Sequence, residues 1–263
     1  MKPRVALTIA GSDPSGGAGL QADIRVFARC GVYGLSAVSA LTAQNSFEVK
    51  DILPVEGRFI EEQLNTIISD IRPDALKTGM LFSGDCISAV AKIVKGFELE
   101  NLVIDPVTVS STGRSLLEDS ALNLLVRELF PLARVITPNI YEASAISGVT
   151  IEDEKGMEAA AMRLKELGPE AVIITGGHFP GTARGAETLE LIWDGNSFHR
   201  IRGKKMPGEY HGTGCAYSAA LTAGLAKGVS FFESAKRAKE FVDSAIHHAY
   251  RIGKGMSLLN FGE

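Results

Sequence analysis

Nowhere in this chain does an apolar run reach the length of a membrane span, and the first one, Val5-Ala10, is too short for the core of a secretion signal. Cysteine is scarce as well. Cys30, Cys86 and Cys215 stand far apart, which suits neither a disulfide framework nor a zinc cluster and predicts a reducing, cytoplasmic setting. Positive charge never gathers into a stripe: the formal net charge is -4 and the 27 lysines and arginines are spread along the chain, so neither nucleic acid nor a membrane is an expected partner. The five histidines show no H-E-x-x-H spacing, so no transition-metal site is expected. Also missing are G-x-x-x-x-G-K-[ST] and the H-R-D and D-F-G pair, which removes the two commonest kinase architectures.

What is present is enough apolar material, 45% of 263 residues, to bury a full core. With no linker, repeat or low-complexity tract, a single domain over 1–263 is expected. Short apolar runs at Val5-Ala10, Leu35-Leu41, Ala75-Lys77, Leu102-Asp105, Val135-Thr137 and Ala171-Thr175 read as strands. Between them lie amphipathic stretches, Leu20-Arg29, Ile60-Ile71, Asp85-Lys95, Asp119-Phe130 and Gly156-Leu167, that read as helices. In the second of these Phe59, Ile60, Leu64, Ile67, Ile68 and Ile71 share a face, and Pro73 follows its end; Pro131 is placed just beyond the fourth. Such alternation predicts an α/β fold, a mostly parallel sheet covered by helices on both sides. From Glu187 to Ile201 the period changes to two around Asp194-Gly195, an antiparallel hairpin appended to that sheet. Helices return at Gly212-Lys227 and Phe232-Ala249, with Gly228-Val229-Ser230 ending one and capping the next.

The residues that carry chemistry cluster where predicted strands end, the side on which open α/β sheets bind ligands. Ala10 to Gly19 is glycine-rich, and Gly17-Ala18-Gly19-Leu20-Gln21-Ala22 fits the dinucleotide fingerprint, but too many residues, Pro14 among them, separate it from the strand end for that turn. Asp23 reads either as a first-turn carboxylate facing solvent or as a polar anchor in the cleft. Gln44 is a turn residue or a partner for a heteroaromatic ring. Met80 is core packing or an apolar wall against a flat ring, and Asp105, before Pro106-Val107, is a strand cap or a carboxylate that orders water or Mg²⁺. Asn139 and Glu142 have capping-box spacing, yet an amide and a carboxylate so placed also suit the water shell of a nucleotide-bound Mg²⁺. Thr175-Gly176-Gly177 ends the next strand and offers a nucleotide close backbone approach. His211-Gly212-Thr213-Gly214-Cys215 opens an alanine-rich helix, presenting backbone N–H groups to an anion beside a thiol. Glycines there also simply let a helix start close to a sheet, and a cysteine in such a helix is often core.

Taken together, Ala6-Leu7-Thr8-Ile9-Ala10-Gly11-Ser12-Asp13, Leu41-Thr42-Ala43-Gln44-Asn45, Lys77-Thr78-Gly79-Met80-Leu81, Thr137-Pro138-Asn139 and His211-Gly212-Thr213-Gly214-Cys215 resemble the hydroxymethylpyrimidine/phosphomethylpyrimidine kinases of thiamine biosynthesis, a ribokinase-like family. The resemblance implies a three-layer α/β/α sandwich, ATP and Mg²⁺ as cofactors, a small pyrimidine substrate and a homodimer. It places Gly11, Asp23, Gln44, Met80 and Val107 around the pyrimidine, Asn139 and Glu142 at the Mg²⁺-phosphate region with Asp105, and Thr175 and Gly177 by the nucleotide. Gly212, Thr213 and Gly214 would form the anion hole, with Cys215 where the wider family has an aspartate base, a thiol whose pKa a helix N-terminus can lower enough for it to accept a proton. Two departures stand out: many members carry a lysine in the segment aligned with Thr108 to Gly113, where Ser111 falls here, and another where Thr175 falls. Gly181-Gly185 and Ile201-Gly208 are expected to act as mobile cover. The competing readings are a pyridoxal/pyridoxine kinase and a catalytically inactive pyrimidine-binding regulator.

Overall fold

The computed structural model describes residues 2–110, 113–118, 120–177 and 187–262. Its framework is a nine-stranded sheet in the order β3-β2-β1-β4-β5-β6-β7-β8-β9, formed by β1 (Val5–Ser12), β2 (Tyr33–Gln44), β3 (Val49–Pro54), β4 (Ala75–Thr78), β5 (Leu102–Ile104), β6 (Val135–Ile136), β7 (Ala171–Gly176), β8 (Glu187–Trp193) and β9 (Phe198–Lys204). From β2 to β7 every neighbouring pair is parallel. Both margins turn antiparallel: β8 and β9 form the expected hairpin, and β3 pairs back on β2 at the other edge. β3 had no counterpart among the expected strands. Its sequence, Val-Lys-Asp-Ile-Leu-Pro, mixes charge and proline into a short edge strand, which erases a period-two signal.

Because a parallel strand is covered on both sides, its alternate residues feed two cores. Leu7 and Ile9, Leu102 and Ile104, and Val172 and Ile174 face one layer, built of α2 (Gly57–Asp70), α3 (Gly84–Gly96), α4 (Ala121–Leu124), α5 (Ile140–Ser147) and α6 (Glu154–Glu166). Ala6, Val103 and Ile173 face the other, built of α1 (Gly19–Arg29), α7 (Thr213–Ala226) and α8 (Phe231–His247). This is the three-layer sandwich. The α2 face holds as expected at Ile60, Leu64 and Ile68, but Phe59 is 52% exposed, one position off the buried stripe. After α4 the chain widens into a π turn at Leu125–Leu129 and tightens into a 3₁₀ turn at Phe130–Leu132; Pro131 lies inside that turn, near its start, where a missing N–H costs nothing.

A two-stranded parallel sheet, β10 (Tyr210–His211) with β11 (Ser257–Leu258), ties the C-terminal segment to the strand that leads into α7. The same segment is fastened to the β2–β3 turn by Met256 N–H donating to Ser46 O at 3.0 Å. Among the described residues no helix is long and apolar enough to cross a membrane. Ser111 and Gly181–Gly185 lie outside the described residues, so the aligned-lysine position and one cover segment are not placed.

Candidate active site

The charged floor of the site begins with strand parity. Thr8, Lys77 and Asp105 continue the α1/α7-facing positions of β1, β4 and β5, so three polar side chains within or just after adjacent strands point into what is otherwise an apolar interface. α1 supplies the fourth. Asp23 Oδ1 accepts from Lys77 Nζ at 2.8 Å and its Oδ2 accepts from Thr8 Oγ1 at 2.6 Å. Asp105 Oδ2 accepts from Ser218 Oγ of α7 at 3.0 Å. Burial opposes the charge on Lys77, but the carboxylates of Asp23 and Asp105 outweigh it and hold the ammonium above its usual range. Asp23 is therefore neither solvated nor on the cleft wall. At 0% exposure with both oxygens engaged it lies beneath the cleft as the counter-ion of Lys77.

Above this floor two glycine segments are pressed together. The first folds around its own carboxylate: Asp13 accepts from Ser15 N–H at 2.9 Å, Ser15 Oγ at 2.9 Å and Ala18 N–H at 2.8 Å. The Ala18 N–H, inside the Gly17–Ala22 pattern, is consequently turned inward rather than toward a ligand. The second segment crosses it at Gly212, whose φ of +82° is left-handed and whose hypothetical Cβ would fall 1.9 Å from Gly17 O, so no side chain fits there. Gly212 is the N-cap of α7, with no side chain capping the helix start; the backbone N–H groups of Thr213, Gly214 and Cys215 occupy its first turn, where a helix has no partner for them. An anion placed there meets those donors and the positive helix end.

Cys215 follows at once, half-buried beside the nest. Burial, with Asp105 and Asp23 adding to it, outweighs Lys77 and the Gly19 N–H and pushes the thiol up to about 12.

On one side of the nest lies an apolar wall. Met80 joins Ala40, Val49 and Leu116 in a small cluster with Val107 packed against it, and the Met80 sulfur sits over Gly11, 3.0 Å from where a Cβ would be. Gln44 reaches the same side, its amide nitrogen 3.2 Å from His211 Nε2. On the other side Asn139 and Glu142 form a complete capping box at the start of α5, and Glu142 Oε1 also accepts from Thr108 N–H at 3.1 Å. Burial and the nearby Asp105 carboxylate raise Glu142 to about 7. Thr175 is bridged to Asn139, its N–H donating to Pro138 O at 2.9 Å, and Gly177 beside it is exposed with open space around it. Among the described residues no three His, Cys, Asp or Glu side chains converge as a metal cage. The structure thus brings together Gly11, Gln44, Met80 and Val107 on one flank, and Asp105, Asn139, Glu142 and Thr175 on the other, with residues 212–215 between.

Sequence reasoning passed over Lys77, Ser218, Asp13 and His211 as chemistry. The signal for Lys77 was available: a lysine in the interior of the four-residue strand Ala75–Thr78, buried throughout, is costly unless paired. Asp13 and His211 had no such signal, because they meet only when both loops are folded.

The sequence profile of the phosphomethylpyrimidine kinase family matches residues 13–260. The chain is 40% identical to the hydroxymethylpyrimidine/phosphomethylpyrimidine kinase of Staphylococcus aureus strain MSSA476 over 99% of its own length and 94% of that protein's. Among solved structures it resembles a pyridoxal kinase of Bacillus subtilis in complex with ADP, with a TM-score of 0.89 and 36% identity over 99% of this chain and 98% of that one. A phosphomethylpyrimidine kinase from Clostridium difficile aligns with a TM-score of 0.82 and 36% identity, covering 92% of this chain and 99% of that one. With a family match over nearly the whole chain and a relative 40% identical over 99% of it, the chain belongs to the phosphomethylpyrimidine kinase family of ribokinase-like, ATP-dependent kinases.

Proposed function

We infer that the protein transfers the γ-phosphoryl group of ATP first to the hydroxymethyl oxygen of 4-amino-5-hydroxymethyl-2-methylpyrimidine and then, from a second ATP, to the phosphate so formed, supplying thiamine biosynthesis. The observation that carries this reading is the α7 nest standing between an apolar, amide-bearing flank and an acidic one. In the first transfer the hydroxymethyl oxygen bonds to Pγ as the bond from Pγ to the β,γ-bridging oxygen breaks, ADP leaves, and the hydroxyl proton is released to water. Charge spreads over the three equatorial oxygens of a loose transition state, where fixed N–H donors act with little reorganisation. Such a transition state keeps the hydroxyl proton until late, so a neutral Cys215 thiol is no obstacle; it lines the nest rather than acting as its base. Gly11, Met80 and Val107 sandwich the ring and Gln44 addresses its polar edge.

Mg²⁺, carried in on the nucleotide, supplies charge neutralisation at the β- and γ-phosphates. Asp105 and Glu142 fit that role through water or phosphate: burial raises both carboxylates, Asp105 raises Glu142 further, and a nearby cation relieves them. Thr175 and Gly177 flank the nucleotide. The setting is the reducing cytoplasm, in keeping with cysteines that are all free among the described residues. The protein pairs as a homodimer. Leu41, Phe47 and Leu53, all exposed, give the β2–β3 ribbon an apolar face for that pairing, whereas β9 carries Arg200 and Arg202 paired to glutamates of α6.

The test is to incubate purified protein with MgATP and hydroxymethylpyrimidine and follow products by mass spectrometry. Sequential mono- and diphosphate support the reading; no phosphorylated pyrimidine defeats it. A second reading, pyridoxal phosphorylation, is favoured by the structural likeness to the Bacillus subtilis enzyme, and pyridoxal belongs in the same assay.

A further inference from the structure

His211 closes β10 directly before the nest and is 6% exposed. Its Nε2 lies 2.8 Å from Asp13 Oδ2 and 3.2 Å from the Gln44 side-chain nitrogen, while its Nδ1 is buried with no hydrogen-bond partner among the described residues. Asp13 is an acceptor on both oxygens: it already takes the Ser15 N–H, the Ser15 hydroxyl and the Ala18 N–H. Nε2 must therefore carry the proton that Asp13 receives. A second proton on Nδ1 would bury an N–H with nothing to accept it, whereas the neutral ring leaves only a lone pair there.

Two consequences converge on Gln44. An Nε2–H donor facing an amide NH₂ is a donor against a donor, so the amide oxygen, not the nitrogen, belongs toward His211. At the other end of the same amide, the Thr42 hydroxyl lies 2.9 Å from Ser12 O, a carbonyl that only accepts, so its proton goes there. Thr42 Oγ1, 3.2 Å from the Gln44 side-chain oxygen position, is then an acceptor and belongs with the amide NH₂. Both neighbours demand the same half-turn of an amide whose two ends are alike in shape.

We propose that His211, as the neutral Nε2–H tautomer held by Asp13, is the positioning residue that fixes the Gln44 amide with its oxygen toward His211 and its NH₂ toward Thr42. Gln44 then shows the cleft one lone pair and one N–H in a set order, an edge complementary to the N=C–NH₂ edge of an aminopyrimidine. A pyridine alcohol, whose ring nitrogen and hydroxyl are not adjacent in this way, satisfies only one of the two. His211 thereby favours aminopyrimidine alcohols over pyridine alcohols, a consequence that rests on the substrate reading above.

The tautomer is tested without substrate. In ¹H–¹⁵N spectra of the free, labelled protein, with the His211 signals assigned by their loss in His211→Gln, a protonated Nε2 with a bare Nδ1 is expected. A proton on Nδ1, alone or with Nε2, overturns the proposal. The second arm is kinetic. His211→Phe should raise the KM for hydroxymethylpyrimidine about tenfold, the worth of one hydrogen bond, and shift that for ATP by less than about twofold, with His211→Gln recovering most of the loss because it keeps an N–H within reach. In a Gln44→Ala background the same His211→Phe change should add less than about twofold, since a positioning residue has nothing left to position. An undiminished effect in that background, or an equal rise in the ATP KM, contradicts the proposal. If His211→Phe does not fold, the spectra and His211→Gln decide alone. Failure to turn over any pyrimidine would remove the substrate reading and leave the tautomer to be judged by the spectra.

Discussion

A thiol raised to about 12 is protonated at neutral pH, and this bears on what Cys215 contributes. Its alkylation by iodoacetamide should show no thiolate midpoint below about pH 10, clearly above that of a free cysteine near 8.5; a midpoint near 7 would restore the base. If the thiol shapes the nest instead, Cys215→Ala should slow the alcohol and monophosphate steps by similar factors. A loss confined to the alcohol step would speak for proton removal. Lys77 belongs to the same scale. With 0% of either side chain exposed, Lys77→Met leaves Asp23 as an uncompensated buried charge and should cost about 3–5 kcal/mol of stability by denaturant titration, while Lys77→Met with Asp23→Asn should recover much of it. Equal destabilisation in the single and double variants would show that the pair is not coupled.

At the scale of elements, the crossing of the two glycine segments is the least tolerant point. Gly212→Ala should destabilise by more than about 1 kcal/mol, because φ is positive, and should displace the α7 donors enough to lower kcat by roughly 100-fold. Near-normal turnover in that variant would mean that the nest is not where the phosphoryl group passes. Farther away, Glu190 on β8 is enclosed by Lys239 and Asp243 of α8 and Tyr217 of α7, and burial pushes it up to about 7, with Lys239 opposing and Asp243 adding. Between about pH 4.5 and 7 the folded chain holds a proton there that the unfolded chain has released, so stability falls as pH rises through that window. Glu190→Gln removes the penalty: its melting temperature should exceed the parent's at pH 8, by up to about 3 kcal/mol of stability, and converge with it near pH 4.5. An unchanged or lower melting temperature at pH 8 would count against the buried, proton-linked carboxylate. The elements themselves were largely readable, since the parallel strands carry unbroken apolar runs and α1, α2, α3 and α6 carry a 3.6-residue stripe. β3 escaped because an edge strand with Lys50, Asp51 and Pro54 is written like a loop.

For the molecule as a whole, what the sequence shows is which strand ends bear polar residues; what it conceals is how layers bring them together. Gln44, Met80, Asp105, Asn139 and Gly212–Cys215 were legible because each ends a strand or begins a helix at the ligand side of a parallel sheet. The Asp13–His211 contact joins residues 198 positions apart, and the burial of Asp23 on α1 depends on Lys77 from β4, so neither has a local signature. Dimerisation is also a property of the whole: light scattering should give twice the chain mass, and Leu41→Asp with Leu53→Asp should give the monomer. A monomeric parent would remove the β2–β3 pairing. The central claim is that the phosphoryl group crosses between two oxygens while held by the first turn of α7. The most direct measurement is a crystal structure with a non-hydrolysable ATP analogue, Mg²⁺ and hydroxymethylpyrimidine. The account predicts the terminal phosphate within hydrogen-bonding reach of the Thr213, Gly214 and Cys215 N–H groups with the hydroxymethyl oxygen facing it; a terminal phosphate bound away from those groups would contradict it.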